Sequence, residues 1–480
     1  MIWKDLREYL ARLDADDQLQ VIKGANWEEE IGALTELLTE RQGKALVFDE
    51  VPGYPAGYRV ATNLFTTTKR TAVAMGMGDG EGLARRWSER MRELRPIPHQ
   101  IVADGPVFEN VLKGDAIDLF KFPTPKWHEN DGARYIGTGV CVINKDPDSG
   151  FVNAGAYRVS IQDAKTCGLF IEHGKDGDVI RHKHWARGEK CPVVVTVGQE
   201  PIITALSGSA GRPARTDASE FDVAGALHGE AYPMVVGETG VPFPAYAEIA
   251  IEGYIPAPHD VMELEGPFGE WTGYYAHERR PETVIQVSAI YHRNDPIIFG
   301  APPLRPVGFN YFANFGGDGA GMIARLEREG IQGVKRIYHL GAPSFQVVSV
   351  HQMYQGHVED VIKHLVPAGE QYRGHNIWIF VDDDIDVTNP EELHWAIGSR
   401  LMPESGVRVL PGRAVWQLDP RIPPGERSNP DEEGRLTYRA DDLVLNCCRP
   451  YEWIDKFPPV AVNSPELRER TRNKWKYLFE

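Results

Sequence analysis

Hydrophobic residues recur every three to four positions near the start of the chain, the spacing of one face of an α-helix. The apolar run "KALVFDEV" that follows predicts a strand. Helices and a strand in this order predict a small α/β unit over residues 1–115. Two helical faces are predicted, the first by Leu6, Tyr9, Leu10 and Leu13, and the second by Ile31, Leu34, Leu37 and Leu38.

Residues 116–305 change to a pattern of short apolar or alternating runs that are bounded by Gly, Pro, Asp and Asn. Such runs predict successive β-strands, and their number predicts a barrel or sandwich. The strands are predicted in "GVCVIN", "NAGAYRVSIQD", "CPVVVTVG", "YAEIAIEGYI", "ETVIQVSAIYH" and "DPIIFGAPP".

In residues 306–480 helical periodicity returns between strands. The helix predicted in "VEDVIKHLV" lies between the strands "PSFQVVSV" and "NIWIFVDDD", which favours a second α/β unit. The tail "SPELRERTRNKWKYLFE" predicts a charged helix that could pack on another subunit. We therefore expect an α+β protein of three domains.

The charge of the chain narrows its possible partners. A net charge of −17 argues against a nucleic-acid or anionic-membrane surface, because both favour basic patches. No apolar run reaches the roughly 20 residues that span a bilayer, and the amphipathic start does not resemble a signal peptide. Five cysteines without a CxxC pair fit a reducing compartment, so we expect a cytoplasmic protein.

Candidate chemistry is concentrated in two short segments. Arg158 lies in a β-rich run, where an unpaired cation would be costly. Its partner could be a structural carboxylate or the carboxylate of a substrate, and the segment alone does not decide between them. In "EGPFGEWTGYY" the acids Glu265 and Glu270 are separated by Gly-Pro-Phe-Gly, which breaks both strands and helices. A sharp bend between two carboxylates is therefore predicted.

Two further features are ambiguous by themselves. His173, His182 and His184 invite a zinc hypothesis, but no HExxH motif or cysteine ligand accompanies them. A metal hydrolase therefore stays a weaker alternative. Glu230, just before a predicted strand, could be an ordinary surface or helix-end residue.

In order along the chain, these motifs are N-x4-R, a histidine, a Gly-Glu pair and "EGPFGEWTGYY". Together they resemble the UbiD family of decarboxylases, which use prenylated FMN. The resemblance extends from "DLREYLARLDADDQLQVI" to "VDDDIDVTNPEELHWAIGSR" and so covers nearly the whole chain.

The resemblance implies a cofactor site. A divalent cation, Mn²⁺ or Mg²⁺, would bridge Asn153, His182 and Glu230 to the flavin phosphate, with K⁺ nearby and His184 as the alternative histidine. Amide, imidazole and carboxylate ligands suit such a cation. The implied cofactor-binding residues are Asn153, Gly155, Ala156, Tyr157, Arg158, Arg181, His182 and Glu230.

The resemblance also implies the reaction. Arg158, Glu265 and Glu270 would form the catalytic network, with Arg158 orienting the acid and Glu270 returning a proton. The expected activity is reversible, non-oxidative decarboxylation of an aromatic, heteroaromatic or α,β-unsaturated carboxylic acid, with prenylated FMN as the electron sink. A flavin-binding reductase or inactive assembly partner is the alternative.

The expected architecture is an N-terminal α/β domain, a central split β-barrel of flavin-reductase type and a C-terminal α/β domain for oligomerisation. Members of the family are dimers or hexamers and receive their cofactor from a flavin prenyltransferase. Phe309, Tyr311 and Phe312 would give the substrate pocket an aromatic wall.

Overall fold

A computed structural model shows the fold of residues 2–78, 80, 83–208, 218–275, 277–305, 319–339, 345–366, 377–415, 418–423 and 438–478. All elements and contacts below concern these residues. Within them, no helix combines the length and the apolar character that crossing a membrane requires.

The N-terminal part is the predicted α/β unit. The first predicted helical face is confirmed, since all four of its residues are buried. The second is only partly correct, because Leu37 is 54% exposed and the buried positions include Thr35 and Thr39. The elements are α1 (Leu6–Ala15), β1 (Leu19–Lys23), α2 (Glu30–Glu40), β2 (Ala45–Asp49), β3 (Arg59–Thr62), α3 (Thr68–Ala74), α4 (Leu83–Glu93) and β4 (Gln100–Ile101).

The central part is dominated by strands. Its elements are β5 (Asn110–Lys113), β6 (Arg134–Gly137), β7 (Val140–Lys145), β8 (Val152–Gly155), β9 (Val159–Ile161), β10 (Thr166–Leu169), α5 (Asp176–Ala186), β11 (Cys191–Val197), α6 (Pro201–Ser207), α7 (Glu220–His228), β12 (Pro233–Val236), β13 (Pro242–Pro244), β14 (Ile249–Ile255), β15 (Glu263–Glu265), β16 (Arg280–His292) and β17 (Ile297–Phe299).

Ten of these strands form one curled sheet, a half-barrel. Its order is β6-β9-β10-β16-β14-β11-β7-β8, and β5 and β15 also pair with β16. The 13-residue β16 thus contacts four strands, which makes it the spine of the sheet. A separate sheet of three strands has the order β13-β12-β4. The predicted barrel-like domain is therefore confirmed.

One strand from the central run belongs to a different sheet. Residues 297–299 of β17 pair in parallel with residues 59–61 of β3, completing the sheet β1-β2-β3-β17. Its apolar sequence predicts a strand but does not tell which neighbour it takes. The N-terminal unit is consequently closed by a strand that lies more than 230 residues later in the chain.

The C-terminal part is the second α/β unit, with sheet order β18-β19-β20-β22-β21. Residues 458–478, at the end of the chain, are all exposed. The elements are α8 (Ala320–Arg328), β18 (Val334–His339), β19 (Phe345–Val350), α9 (His357–Leu365), β20 (Ile377–Asp382), α10 (Pro390–Arg400), α11 (Pro403–Gly406), β21 (Val407–Ala414), β22 (Arg439–Asn446) and α12 (Pro465–Lys474).

Short 3₁₀ turns connect several of these elements. They are Pro106–Glu109, Gly114–Ala116, Leu119–Lys121, Tyr451–Lys456 and Lys476–Leu478.

Candidate active site

Arg158 lies at a break between two strands. The single strand predicted for "NAGAYRVSIQD" is wrong: β8 ends at Gly155 and β9 begins at Val159. Between them the Ala156 N–H donates to the carbonyl of Ser207 at 2.9 Å, so the backbone leaves the strand ladder for α6. The break turns the Arg158 side chain towards the segment that follows β15.

The predicted bend after β15 is present. Gly266 has φ of +88°, a left-handed conformation that a residue with a Cβ rarely adopts. The chain then folds back, because the Glu270 N–H donates to the carbonyl of Tyr274 at 2.9 Å and Gly269 bridges to Tyr275. The bend brings Glu265 and Glu270, which a regular strand would point to opposite faces, to the same guanidinium.

Arg158 contacts both glutamates. Its Nε lies 3.0 Å from Oε1 of Glu265, and its Nη2 lies 2.6 Å from Oε2 of the same carboxylate. Its Nη1 donates to Oε1 of Glu270. The three side chains are each at most 7% exposed. Burying such a network is costly unless its charges are paired. The two-point contact with Glu265 pairs the guanidinium, so Glu270 is a second carboxylate on a cation that is already paired.

Aromatic rings enclose the guanidinium. The Arg158 Cζ lies 4.3 Å from the centre of the Phe170 ring and 5.5 Å from that of Phe268. Phe170 in turn forms a small apolar cluster with Leu418 and Trp271, so the C-terminal part contributes a side chain next to the site. These rings exclude water and strengthen the electrostatic interactions inside the network.

A second ion pair lies at the edge of this network. Arg280 contacts Glu282 at 2.6 Å and also lies over the Phe170 ring, with its Cζ 5.3 Å from the ring centre. Burial raises the pKa of Glu282, although Arg280 and Arg158 oppose this effect. Neither residue was singled out by the sequence, where the pair reads as ordinary surface charge.

Asn153, in β8, belongs to a buried chain of polar groups. It is 2% exposed, and its amide donates to Oδ1 of Asn144 at 3.1 Å. Asn144 donates to the carbonyl of Gly177 at 3.0 Å. Burial raises the pKa of Tyr157 to about 12, against hydrogen bonds from Gly177 and Asn153. The predicted cofactor residues Asn153 and Tyr157 are thus brought together.

The Tyr157 ring covers Gly155 in this segment. A Cβ on Gly155 would lie 2.4 Å from the ring, so a larger residue there would displace the tyrosine side chain. The neighbouring Ala156 is exposed. In the predicted run from Gly155 to Arg158, Ala156 is therefore the exposed position, and Gly155 is buried under the tyrosine ring.

A buried carboxylate that contacts the strand of Asn153 belongs to Glu220, a residue that none of the sequence motifs indicated. Glu220 is 4% exposed, lies in the first turn of α7, and accepts a hydrogen bond from the Ala154 N–H at 3.0 Å. Glu230, the predicted ligand, is exposed in the turn that follows α7, two residues after the helix ends. A signal was available: Glu220 follows Ser219, a helix N-cap, and first-turn carboxylates are positioned by helix geometry.

The predicted histidine lies on a helix and faces outwards. Residues 176–186 form α5 and not a loop. The His182 side chain is 54% exposed and packs against Trp185, with ring centres 4.8 Å apart. The alternative, His184, is buried but contacts the carbonyl of Lys145 at 3.1 Å. The predicted Arg181 pairs with Asp178 at 2.7 Å.

The residues present fit a hard cation only in part. Asn153 and Glu220 supply an amide and a carboxylate oxygen next to one strand, the ligand types that Mg²⁺ and Mn²⁺ accept. Within the described ranges, no group of three His, Cys, Asp or Glu residues converges as a metal site. The histidine zinc hypothesis therefore finds no cluster there. The aromatic wall predicted from Phe309, Tyr311 and Phe312 lies outside the described residues.

Sequence models of one family, UbiD, match the chain in three consecutive stretches. The N-terminal domain of 3-octaprenyl-4-hydroxybenzoate carboxy-lyase matches residues 10–91, its Rift-related domain matches 100–306, and its C-terminal domain matches 320–440. These matches cover most of the chain, and the sheet β1-β2-β3-β17 takes strands from the first two of them.

Individual relatives are similar over nearly their whole length. A phenolic acid decarboxylase of Escherichia coli O157:H7 is 29% identical over 468 residues, covering 92% of this chain and 96% of the relative. A pyrrole-2-carboxylic acid decarboxylase of Pseudomonas aeruginosa is 28% identical, with 93% and 92% covered. The UbiD-class enzyme HmfF from Pelotomaculum thermopropionicum, solved with FMN, superposes with a TM-score of 0.80 at 26% identity, with 97% and 98% covered.

Proposed function

The chain belongs to the UbiD family of carboxy-lyases, and we propose that it decarboxylates an aromatic, heteroaromatic or α,β-unsaturated carboxylic acid with prenylated FMN. The observation that carries this proposal is the contact of one buried guanidinium with two buried carboxylates. A cation binds and orients a carboxylic acid, and a neighbouring carboxyl group delivers a proton; decarboxylation needs both.

Arg158 and the two glutamates take different roles in this proposal. Arg158 orients the substrate carboxylate. Glu265 balances its charge, since both of its oxygens already accept bonds from Arg158. Glu270 is anchored through one oxygen, Oε1, and is the group that returns a proton to the carbon that loses CO2. The enclosing rings of Phe170 and Phe268 exclude water, so that Glu270 and not solvent supplies the proton.

Prenylated FMN, when bound, supplies the electron sink that no side chain provides. Asn153 and Glu220 would hold an Mn²⁺ or Mg²⁺ ion at its phosphate, with Gly155, Ala156 and Tyr157 beside it. Oxygen ligands from the phosphate would complete the coordination. The ligand roles of His182 and Glu230, the contact of Arg181 with the cofactor, and a K⁺ site remain predictions from the family resemblance.

The relatives favour a flat acid as substrate. Two of them are named for phenolic and pyrrole-2-carboxylic acids, which share a planar ring that carries the carboxyl group. We further propose that the chain works in the cytoplasm as a homo-oligomer, and that a flavin prenyltransferase supplies its cofactor. Five buried free cysteines fit that reducing compartment.

The test is to purify the protein from cells that also produce a flavin prenyltransferase. Mass spectrometry of the extracted cofactor and the visible spectrum identify prenylated FMN. Decarboxylation of hydroxybenzoates, pyrrole-2-carboxylate and cinnamate-type acids is then followed by CO2 release. The matched control is protein from cells without the prenyltransferase.

The expected result is prenylated FMN near one per chain and CO2 release from at least one ring acid only in the prenyltransferase sample. Bound prenylated FMN with no turnover of any acid would favour the flavin-binding alternative. A protein that binds no flavin under these conditions would contradict the proposal.

A further inference from the structure

We propose that Asp131 and Tyr135 are positioning residues that hold the catalytic bend, residues 265–270, independently of Arg158. This inference rests on the proposed function, because it concerns the geometry of the same two glutamates. It gives a role to residues 128–135, which lie against the bend. This segment precedes β6 and includes the first two residues of that strand.

Tyr135 holds the first glutamate. Its hydroxyl donates to Oε1 of Glu265 at 2.8 Å and also lies 3.4 Å from the carbonyl of Pro267. The Tyr135 ring packs on Phe268, with ring centres 4.2 Å apart, and the tyrosine is fully buried. Burial raises the pKa of Tyr135, so its hydroxyl keeps its proton and serves only as a neutral donor at ordinary pH.

Asp131 holds the second glutamate through the backbone. Its Oδ1 accepts from the Gly269 N–H at 3.3 Å and from the Tyr275 hydroxyl at 3.1 Å, so it joins both sides of the fold-back that carries Glu270. Its Oδ2 accepts from the His128 N–H at 3.0 Å. The Asp131 side chain has no exposed area, and hydrogen bonds to a charged group in such a place are strong.

The backbones of the two segments also meet directly. The Gly132 N–H donates to the carbonyl of Pro267 at 2.8 Å. A Cβ on Gly132 would lie 1.9 Å from the Gly266 carbonyl oxygen, so only glycine permits this approach. A carboxylate, a backbone amide and a phenol hydroxyl from this segment therefore all contact the bend, and together they hold it along its whole length.

These contacts matter because Arg158 has two roles: it binds the two glutamates, and it orients the substrate carboxylate. When its guanidinium turns to a substrate carboxylate, its contacts with Glu265 and Glu270 weaken. Without other partners, both glutamates would then move with it or relax away. Tyr135 keeps the Glu265 carboxylate in place, and Asp131 keeps the backbone next to Glu270 in place. The proton donor therefore keeps its position while Arg158 binds the substrate carboxylate. Displacements of about 1 Å in such sites can cost a hundredfold in rate.

The test uses two conservative variants with matched controls. Tyr135→Phe removes one hydroxyl, and Tyr9→Phe removes another buried hydroxyl, which donates to the carbonyl of Leu64 at 2.8 Å. Asp131→Asn removes the charge of an aspartate that accepts a hydrogen bond from a histidine, His128. Asp222→Asn changes another, which accepts from the N–H of His99 at 2.9 Å. Neither control residue contacts the bend.

Two readouts are taken from the full-length protein loaded with its cofactor. The first is kcat and KM, and the second is hydrogen–deuterium exchange of the amides in residues 265–275. For Tyr135→Phe and Asp131→Asn we expect kcat to fall about tenfold, the scale of one charge-assisted hydrogen bond, with KM changed less than about threefold. Amide exchange in the bend should become about tenfold faster, with an unchanged cofactor spectrum.

The controls should leave both readouts at the wild-type values. Values of kcat within about twofold of wild type, or an equal loss in the two controls, would overturn the inference. If the wild-type protein decarboxylates no acid, the proposed function fails, and exchange alone decides about the positioning. Faster exchange in the bend would then support it, and unchanged exchange would overturn it.

Discussion

Arg158 and Glu265 form a two-point ion pair, with Nε 3.0 Å from Oε1 and Nη2 2.6 Å from Oε2. The planar guanidinium matches both carboxylate oxygens at once, so the pair fixes direction as well as charge. The third nitrogen is left to face Glu270. The alignment of the guanidinium with the two carboxylates therefore depends on a planar fork that no other side chain reproduces.

Replacing Arg158 by lysine should lower kcat/KM about a hundredfold or more, because an ammonium group cannot contact both oxygens of Glu265 and also Glu270. Steady-state kinetics on a ring acid measure the effect. The control is Arg12→Lys, which changes an exposed pair with Asp16. A lysine variant with wild-type kcat/KM would contradict the orienting role of Arg158.

Replacing Glu270 by glutamine should lower kcat about a thousandfold, since the N–H of an amide is not acidic enough to be transferred and a general acid contributes ~10²–10⁴. The prenylated FMN content should be unchanged, because Glu270 contacts Arg158 and is not one of the residues expected to bind the cofactor or its metal. Single-turnover kinetics and cofactor extraction check both. Wild-type rates in this variant would exclude Glu270 as the proton donor.

Replacing Glu220 by glutamine should reduce the bound metal and prenylated FMN severalfold, because its buried carboxylate is the one beside the strand of Asn153. Replacing the exposed Glu230 in the same way should leave both contents unchanged. Elemental analysis and flavin extraction from the two variants are compared. The opposite result would return the ligand role to Glu230.

Replacing Gly132 by alanine should lower the free energy of unfolding by about 1–3 kcal/mol, since the new Cβ would overlap the Gly266 carbonyl. The bend would shift, and kcat should fall with it. In the matched change, Gly398→Ala in α10, the added Cβ has no atom of the described residues within 4 Å, so the change should be neutral or stabilise by up to ~1 kcal/mol. Denaturant unfolding measures both; a Gly132 variant as stable as wild type would refute the close approach.

Removal of residues 459–480 should decrease the oligomer mass without lowering the melting temperature. Val462, Tyr477 and Leu478 in this tail are each more than 60% exposed, which favours a surface that a second copy covers. Light scattering coupled to gel filtration measures the mass. An unchanged oligomer would show that the tail does not contribute to the interface.

Much of the fold follows from local pattern. The face of α1 and the strands β7, β11, β14 and β16 lie where alternation and apolar runs predict them, because those segments bury one face or both whatever their partners. The hydrophobic pattern gave a wrong prediction where the backbone of a segment bonds to a distant element. Arg158 lies at a break in a predicted strand because α6 offers the carbonyl of Ser207.

The sequence by itself determined the presence of the bend, since Gly266 and Pro267 cannot continue a strand, and the presence of an arginine that needed an anionic partner. Only the tertiary structure decided which partner it has, which carboxylate contacts the strand of Asn153, and which segment holds the bend. Contacts such as that of Tyr135 with Glu265, 130 residues apart, depend on how strands pair across the sheet, and no local pattern of residues encodes that pairing.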